Sequence, residues 1–360
     1  MTRMLTIDLL TLGDPGLLTG GYLYHRRMAE AAVEHDARIR FLSFPTYPFP
    51  LPALHAGRLL GLAGRADTDV LLLDSIAAAF LAPWLATHRL DRPLAAIAHQ
   101  PPGGIDHGRL RTKFQAWADL LTYRRARRLL LASQALTESF VSAGIPEDRV
   151  RVVVPGRDVA QPPSGPAEDL REGRRTAFLS VGNWVARKGL LDLLEAFARL
   201  PAEWATLHLV GDTNADPGYA QQVRKRLSRA DLAGRVRVHG PVSKERVARL
   251  YRDADLFVLP SLREPYGTVY GEAMAAGLPV VGWAAGNLPN LARAGIEGEI
   301  LPRGDVEGLA RALERLVTDP AYRASLASAA RIRAQSFPTW AQSAELLFAE
   351  LREVAATPLT

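Results

Sequence analysis

Along the chain, short apolar runs alternate with longer stretches whose apolar positions recur at helical spacing. The runs at 5–12, 38–43, 70–74, 94–99, 129–133 and 150–154 predict strands, and the stretch at 22–34 predicts a helix between the first two. Several runs are apolar throughout rather than alternating, as at 71–73 and 94–98. Strands of that kind are buried on both faces, which requires helices on either side of a parallel sheet. From Pro155 to Arg175 the pattern stops, and Pro, Gly and charge take its place. This predicts an interdomain linker at 161–175. The alternation then restarts, with strands predicted at 176–181, 206–210, 236–239, 256–260 and 279–282. Helices are predicted at 190–200, 219–230 and 306–317, and a long final one at 339–355. The implied fold class is α/β, with two Rossmann-like doubly wound domains at 1–160 and 176–335 and a helical segment at 336–360. Ligands in such sheets sit beyond the carboxyl ends of the strands.

Composition narrows this picture. A chain of 360 residues is long for one core and comfortable for two. It has no cysteine, which excludes disulfides and thiolate metal sites. The start of the chain reads as a poor secretion signal because Asp8 interrupts its apolar stretch. The longest apolar run, 69–86, carries Asp74 and Pro83 and reads as strand plus helix rather than membrane span. A cytoplasmic protein is expected. The net charge of +6 is scattered and mostly arginine. No nucleic-acid module accompanies it, so nucleic acid is not an expected partner; phosphorylated ligands suit the charge.

The segment from Asp253 to Gly282, DADLFVLPSLREPYGTVYGEAMAAGLPVVG, carries the most chemistry. A buried strand runs into a loop with Glu264, Pro265 and Gly267, and a helix begins near Thr268 and ends at Gly277. The loop-to-helix junction offers free N–H groups at the positive end of a helix dipole, a site for phosphate. Glu264 and Glu272 bracket that junction, and each carboxylate can accept hydrogen bonds from hydroxyl groups. A ligand with diols on either side of a diphosphate fits: a nucleotide sugar.

The string EPYGTVYGEAMAAGLPVV closely resembles the signature of the retaining family 4 glycosyltransferases of the GT-B fold, marked by two glutamates with seven residues between them. The resemblance implies that Glu264 contacts hydroxyls of the transferred sugar and Glu272 the ribose hydroxyls. It also implies that N–H groups around Gly267, Thr268 and Val269 bind the distal phosphate. FLSVGNWVARKGLLDLLEAFARL resembles the family's glycine loop, with Lys188 at the cation position and Asn183 where an arginine is usual; Arg187 is the substitute charge. Gly20 and Gly21 match the pair under the donor phosphates, and a tight turn is the alternative for them. His99, at a strand end, matches the histidine beside the transferred sugar, where it can hydrogen-bond or assist proton transfer. Gly240 and Val242 fall where backbone meets the base. The resemblance further implies that the final helix packs back on the N-terminal domain.

These matches imply transfer of a hexose-type sugar from a UDP- or GDP-sugar to a glycan, lipid-linked or small-molecule acceptor, with anomeric retention. No cofactor or metal is expected, because the cations and the helix N-terminus supply positive field and the histidines show no metal-ligand spacing. A sugar-nucleotide epimerase of the same fold and a non-catalytic two-domain sugar-binding protein are the alternatives. One stretch stands apart, from Arg109 to Arg128. Phe114, Trp117 and Leu121 recur at helical spacing, followed by Arg124, Arg125, Arg127 and Arg128. It reads either as a core-facing helix with a solvated face or as a peripheral contact for an anionic membrane.

Overall fold

The computed structural model describes residues 3–16, 20–63, 67–105, 108–158 and 164–357. Residues 17–19, just ahead of the glycine pair, and 161–163, at the start of the expected linker, lie outside the described residues. The chain divides into two compact units, 1–156 with 338–360, and 157–337.

The first unit is built on six strands: β1 (Leu5–Leu12), β2 (Ala37–Phe44), β3 (Val70–Asp74), β4 (Leu94–Ala98), β5 (Arg128–Leu131) and β6 (Val150–Val152). They pair in the order β2-β1-β3-β4-β5-β6, all parallel, with Ile7 opposite Ile39 and Leu9 opposite Leu72. Helices α1 (Gly20–Ala31), α2 (Ala56–Ala63), α3 (Ala78–Leu85), α4 (Arg109–Tyr123) and α5 (Ala135–Ser142) accompany them. Successive residues of a strand point to opposite faces. Leu71 and Leu73 therefore join one core with Phe80, Tyr123 and Phe140, while Val70 and Leu72 join another. The unbroken apolar runs read from the sequence are thus strands covered on both sides.

The second unit repeats the plan with β7 (Thr176–Val181), β8 (Ala205–Val210), β9 (Val236–Gly240), β10 (Leu256–Val258), β11 (Val280–Trp283) and β12 (Gly298–Leu301), ordered β12-β11-β10-β7-β8-β9. Its helices are α6 (Leu190–Ala198), α7 (Pro217–Leu227), α8 (Lys244–Asp253), α9 (Thr268–Ala275), α10 (Leu288–Leu291), α11 (Val306–Thr318) and α12 (Pro320–Gln335). Asp216, Asp305 and Asp319 cap α7, α11 and α12 with their side chains. Much of the stretch set apart as a linker belongs to this unit. Leu170 is buried beside Leu179 and Val210, and Arg171 pairs with Asp255.

A last helix, α13 (Trp340–Ala356), is part of the first unit. Thr339 and Gln342 form a capping box at its start. Its Ala344, Leu347, Phe348 and Leu351 cover Ile7, Leu9, Leu72 and Leu130.

Tight turns constrain individual positions. Gly189 has φ of 68°, and a Cβ built there meets the Pro260 carbonyl oxygen at 2.0 Å. Gly234 has the same φ and nothing within 4 Å. Gly234→Ala should therefore cost about 1–2 kcal/mol for its left-handed backbone. Gly189→Ala should lose about 1–3 kcal/mol more, because the carbonyl must move. Urea unfolding followed by circular dichroism measures both, and equal losses contradict this reading of the Gly189 turn.

Candidate functional site

In the second unit the strand order reverses beside β7. β8 and β9 are added on one side and β10, β11 and β12 on the other. The loops leaving β7 and β10 consequently start side by side, the arrangement that opens a ligand crevice in doubly wound sheets. These loops carry Arg187 and Lys188 on one hand and Glu264 on the other. Lys188 Nζ donates to Glu264 Oε2 at 2.5 Å, and the Arg187 guanidinium lies 3.5 Å from the same oxygen. Ser261 Oγ and the Leu262 N–H both donate to the Arg187 carbonyl, at 3.0 and 2.7 Å, stitching the two loops together. Lys188 is 7% exposed, so its charge is placed by the fold rather than left to solvent.

From this loop the chain enters α9. Gly267, at φ 85°, turns the backbone in a left-handed conformation, and no side chain caps the first turn. The N–H groups of Thr268 and Val269 lie in that first turn, where helices leave donors without an intrahelical acceptor. Glu272 lies one turn further on. It is open to solvent on one side, and Tyr251 OH stands 3.2 Å from its Oε2. The protein packed around Glu272 raises its carboxyl pKa, opposed by the Tyr251 hydrogen bond and by the charge of Lys244 at the start of α8. Lys244 thus brings the turn after β9 into the electrostatic neighbourhood of Glu272. In that turn the Gly240 carbonyl accepts from the Gly211 N–H at 3.0 Å, and Val242 packs half-buried on the core that holds Tyr251. Asn183 plays another part. It is exposed, and its Oδ1 accepts from the Asp212 N–H at 3.0 Å, so it staples two loops.

The first unit gathers a second set of groups beyond β1, β3 and β4. His99 follows β4, and its backbone N–H donates to Ser75 Oγ at 3.2 Å. Its ring lies edge-on to Tyr24 and His25, with centroids 5.1 Å away in each case, and Gly21 leaves room beside it, a Cβ there falling 3.4 Å from the ring. Gly20, next to Gly21, is the first residue of α1. His25 Nε2 sits 3.0 Å from Asp74 Oδ2. The same carboxylate accepts from Thr11 Oγ1 at 2.9 Å and from the Ile76 N–H at 3.3 Å. His25, Asp74 and His99 bring one nitrogen or oxygen each to within 4.8 Å of one another. Burial alone pushes Asp74 up, but His25 and the hydrogen bonds outweigh it and hold the carboxyl at about 2. His99 is lowered to about 4, first by burial and then by His25, against the pull of Asp74.

His25, Asp74, Ser261, Lys244 and Tyr251 were not legible as site residues. Two had a signal: Asp74 is a lone carboxylate closing the apolar run VLLL, and His25 lies one helical turn after Gly21. The stretch from Arg109 to Arg128 combines features of its two readings. Leu110, Phe114 and Trp117 are 86%, 52% and 58% exposed, whereas Leu121 packs half-buried on Ala79 and Ala82, and α4 buries Gln115, Ala118, Asp119, Thr122 and Tyr123. Its arginines divide. Arg128 pairs with Glu350 and Glu353 of α13, and Arg127 donates to the Thr357 carbonyl. No helix among the described residues is long and apolar enough to cross a membrane.

The chain matches the family Glycosyltransferase Family 4 over residues 6–161 and the family Glycosyl transferases group 1 over 166–333. It is 29% identical to the D-inositol 3-phosphate glycosyltransferase of Xylanimonas cellulosilytica over 279 residues, 71% of this chain and 65% of the relative. Over 149 residues it is 36% identical to LpsE, a lipopolysaccharide core biosynthesis glycosyltransferase of Rhizobium meliloti, covering 41% of this chain and 42% of that one. The alignments thus span less than two thirds of these curated relatives. Among solved structures, sucrose-phosphate synthase from Thermosynechococcus elongatus superposes with a TM-score of 0.82 at 21% identity, covering 98% of this chain and 99% of that one. Anabaena HepE in complex with UDP-glucose superposes at 0.79 and 22% identity, covering 96% and 99%. At such identities the likeness speaks for the fold. With each six-stranded parallel sheet falling within one of the two family matches, the chain belongs to the family 4 (group 1) glycosyltransferases of the GT-B fold.

Proposed function

We propose that this chain transfers a hexose-type sugar from a nucleoside diphosphate sugar to a glycan, lipid-linked or small-molecule acceptor, with retention of anomeric configuration and without metal. The observation that carries the reading is the Lys188–Glu264 pair set beside the uncapped start of α9. A cation, a carboxylate and free N–H groups are the parts a sugar diphosphate calls for. The HepE structure, whose ligand is UDP-glucose, favours UDP as the first donor to try, with GDP next.

In this reading Glu272 holds the ribose hydroxyls, and the N–H groups of Gly267, Thr268 and Val269 bind the distal phosphate. Lys188 and Arg187 stabilise charge on the departing diphosphate. Gly240 and Val242 meet the base through backbone, and Glu264 and His99 hold hydroxyls of the sugar. Asn183 keeps its loop role, and Arg187 supplies the second positive charge. The acceptor oxygen bonds to the anomeric carbon as the carbon–phosphate-oxygen bond breaks. The diphosphate leaves with that electron pair, and the acceptor's proton passes to it. Fixed positive groups aimed at the departing charge are the largest single contribution such sites make. Gly20 and Gly21 let the donor phosphates approach α1 closely.

The exposed Leu110, Phe114 and Trp117, with Arg109, Arg111 and Lys113 among them, support a peripheral contact with anionic membrane through α4, at the cytoplasmic face.

Three measurements test these statements. In a thermal-shift screen against UDP, GDP, ADP, dTDP and CMP, one diphosphate should stabilise the protein with or without magnesium. At 100 times its dissociation constant the gain is about 2.7 kcal/mol; no shift with any nucleotide rejects the transferase reading. Glu272→Ala should weaken binding of that nucleotide by about 1.5–3 kcal/mol, as for hydrogen bonds to charged groups. An unchanged affinity by calorimetry removes Glu272 from the ribose. Sedimentation with anionic vesicles at low salt should pellet the wild type and leave Phe114→Ser/Trp117→Ser in solution. A wild type that stays in solution ends the membrane contact.

A further inference from the structure

The groups behind His99 are more heavily built than a core histidine needs. His25 and Asp74 are each 1% exposed, and they stand on different elements, α1 and β3. Burying a carboxylate is costly unless it is paired and hydrogen-bonded. Asp74 meets that cost with Thr11 Oγ1, Ser75 Oγ, the Ile76 N–H and His25. Two of its partners also serve His99. Ser75 Oγ receives the His99 backbone N–H, and the His25 ring presses edge-on against the His99 ring. His99 Nε2 is shielded from solvent and has no hydrogen-bond partner among the described residues. Among the described residues, the contacts to His99 act on its backbone or its ring plane and leave its Nε2 for another molecule.

We infer that Asp74 and His25 are positioning residues for His99: Asp74 anchors the His25 ring, and His25 with Tyr24 fixes the plane of the His99 ring and the direction of Nε2. The inference rests on the reading of His99 as a sugar-contacting group. Asp74 touches no substrate in this scheme. It acts through His25, much as a carboxylate orients an imidazole in hydrolytic triads, but with a second imidazole as the oriented group. Burial first, and then this arrangement, sets the charge of His99. The charged groups bearing on it are His25 from α1 and Asp74 from β3, with Tyr24 the other titratable neighbour; they pull in opposite directions, His25 lowering and Asp74 raising its proton affinity. An uncharged imidazole can accept a hydrogen bond from a sugar hydroxyl or donate one to it.

The test is the titration of histidine ring signals by NMR in the full chain between pH 3.5 and 8, which needs no substrate. In the wild type His99 should titrate near 4 with one sharp set of signals. In His25→Gln the midpoint should rise by at least one unit, a tenfold gain in proton affinity, and the ring signals should broaden. In Asp74→Asn, which removes the negative neighbour, the midpoint should not rise. A role confined to stability lowers the melting temperature of both variants but does not separate their midpoints. A His99 midpoint unmoved in His25→Gln, or raised in Asp74→Asn, overturns the inference. Should His25→Gln not fold, His25→Phe keeps the aromatic edge while removing the ring nitrogens, and the same rise is required of it. Failure of the nucleotide screen rejects the transferase reading without moving these midpoints, so the two failures are told apart.

Discussion

The fold depends on one constraint: because crossovers are right-handed, a parallel sheet gains helices on both faces only if its strand order reverses and the sheet grows in both directions. Wherever growth reverses, two loops start side by side with no helix between them. Beside β7 this places residues 76 apart in sequence, Lys188 and Glu264, in hydrogen-bond contact. Beside β1 it places the ends of β1 and β3 together, so that Thr11 bonds Asp74 across 63 residues. Neither contact requires a long loop or a special insertion. Both follow from strand order.

The same constraint explains why both sites are charged and yet largely buried. Loops at a reversal sit over a closed, apolar sheet, where a lone ionic group is costly. Each unit answers with close partners: Lys188 and Arg187 on Glu264 in one, the His25 ring on Asp74 in the other. The pairs differ in depth. Glu264 keeps 13% of its side chain exposed, open enough to exchange partners with a ligand. Asp74, closed in and held at about 2, has no such freedom, which suits a group that supports others rather than reacting.

Much of this was legible in sequence because it rests on local chemistry. The doubly covered strands announced themselves as unbroken apolar runs, and the α9 junction as a strand, a glycine and a bracketing pair of glutamates. What stayed hidden has physical reasons. α12 buries Leu326, Ala330 and Ala334, but alanines on its other faces blur the stripe. β12 is short and mostly half-buried, so it lacks the apolar run of its neighbours. For Phe114 and Trp117 the sequence left two faces open, because an aromatic stripe at helical spacing suits either a core or an exposed contact; the packed side of α4 is lined by Gln115, Ala118, Asp119, Thr122 and Tyr123. Asn183 shows a related limit. Its position in the glycine loop was clear, but its side chain is spent on the Asp212 N–H, which only coordinates reveal.

The return of α13 to the first unit carries a consequence for synthesis on the ribosome. The second unit is one continuous stretch of chain and can complete its core as soon as residue 337 has emerged. The first unit emerges earlier but cannot finish: one face of its sheet, with Ile7, Leu9, Leu72 and Leu130, has Tyr24 and Met28 of α1 upon it but lacks the rest of its cover until 340–356 have been made. For the whole time the second unit is being translated, the part of that face beneath α13 stays open. It is the surface on which a holding chaperone would find its purchase, and the order of domain completion is the reverse of the order of domain synthesis.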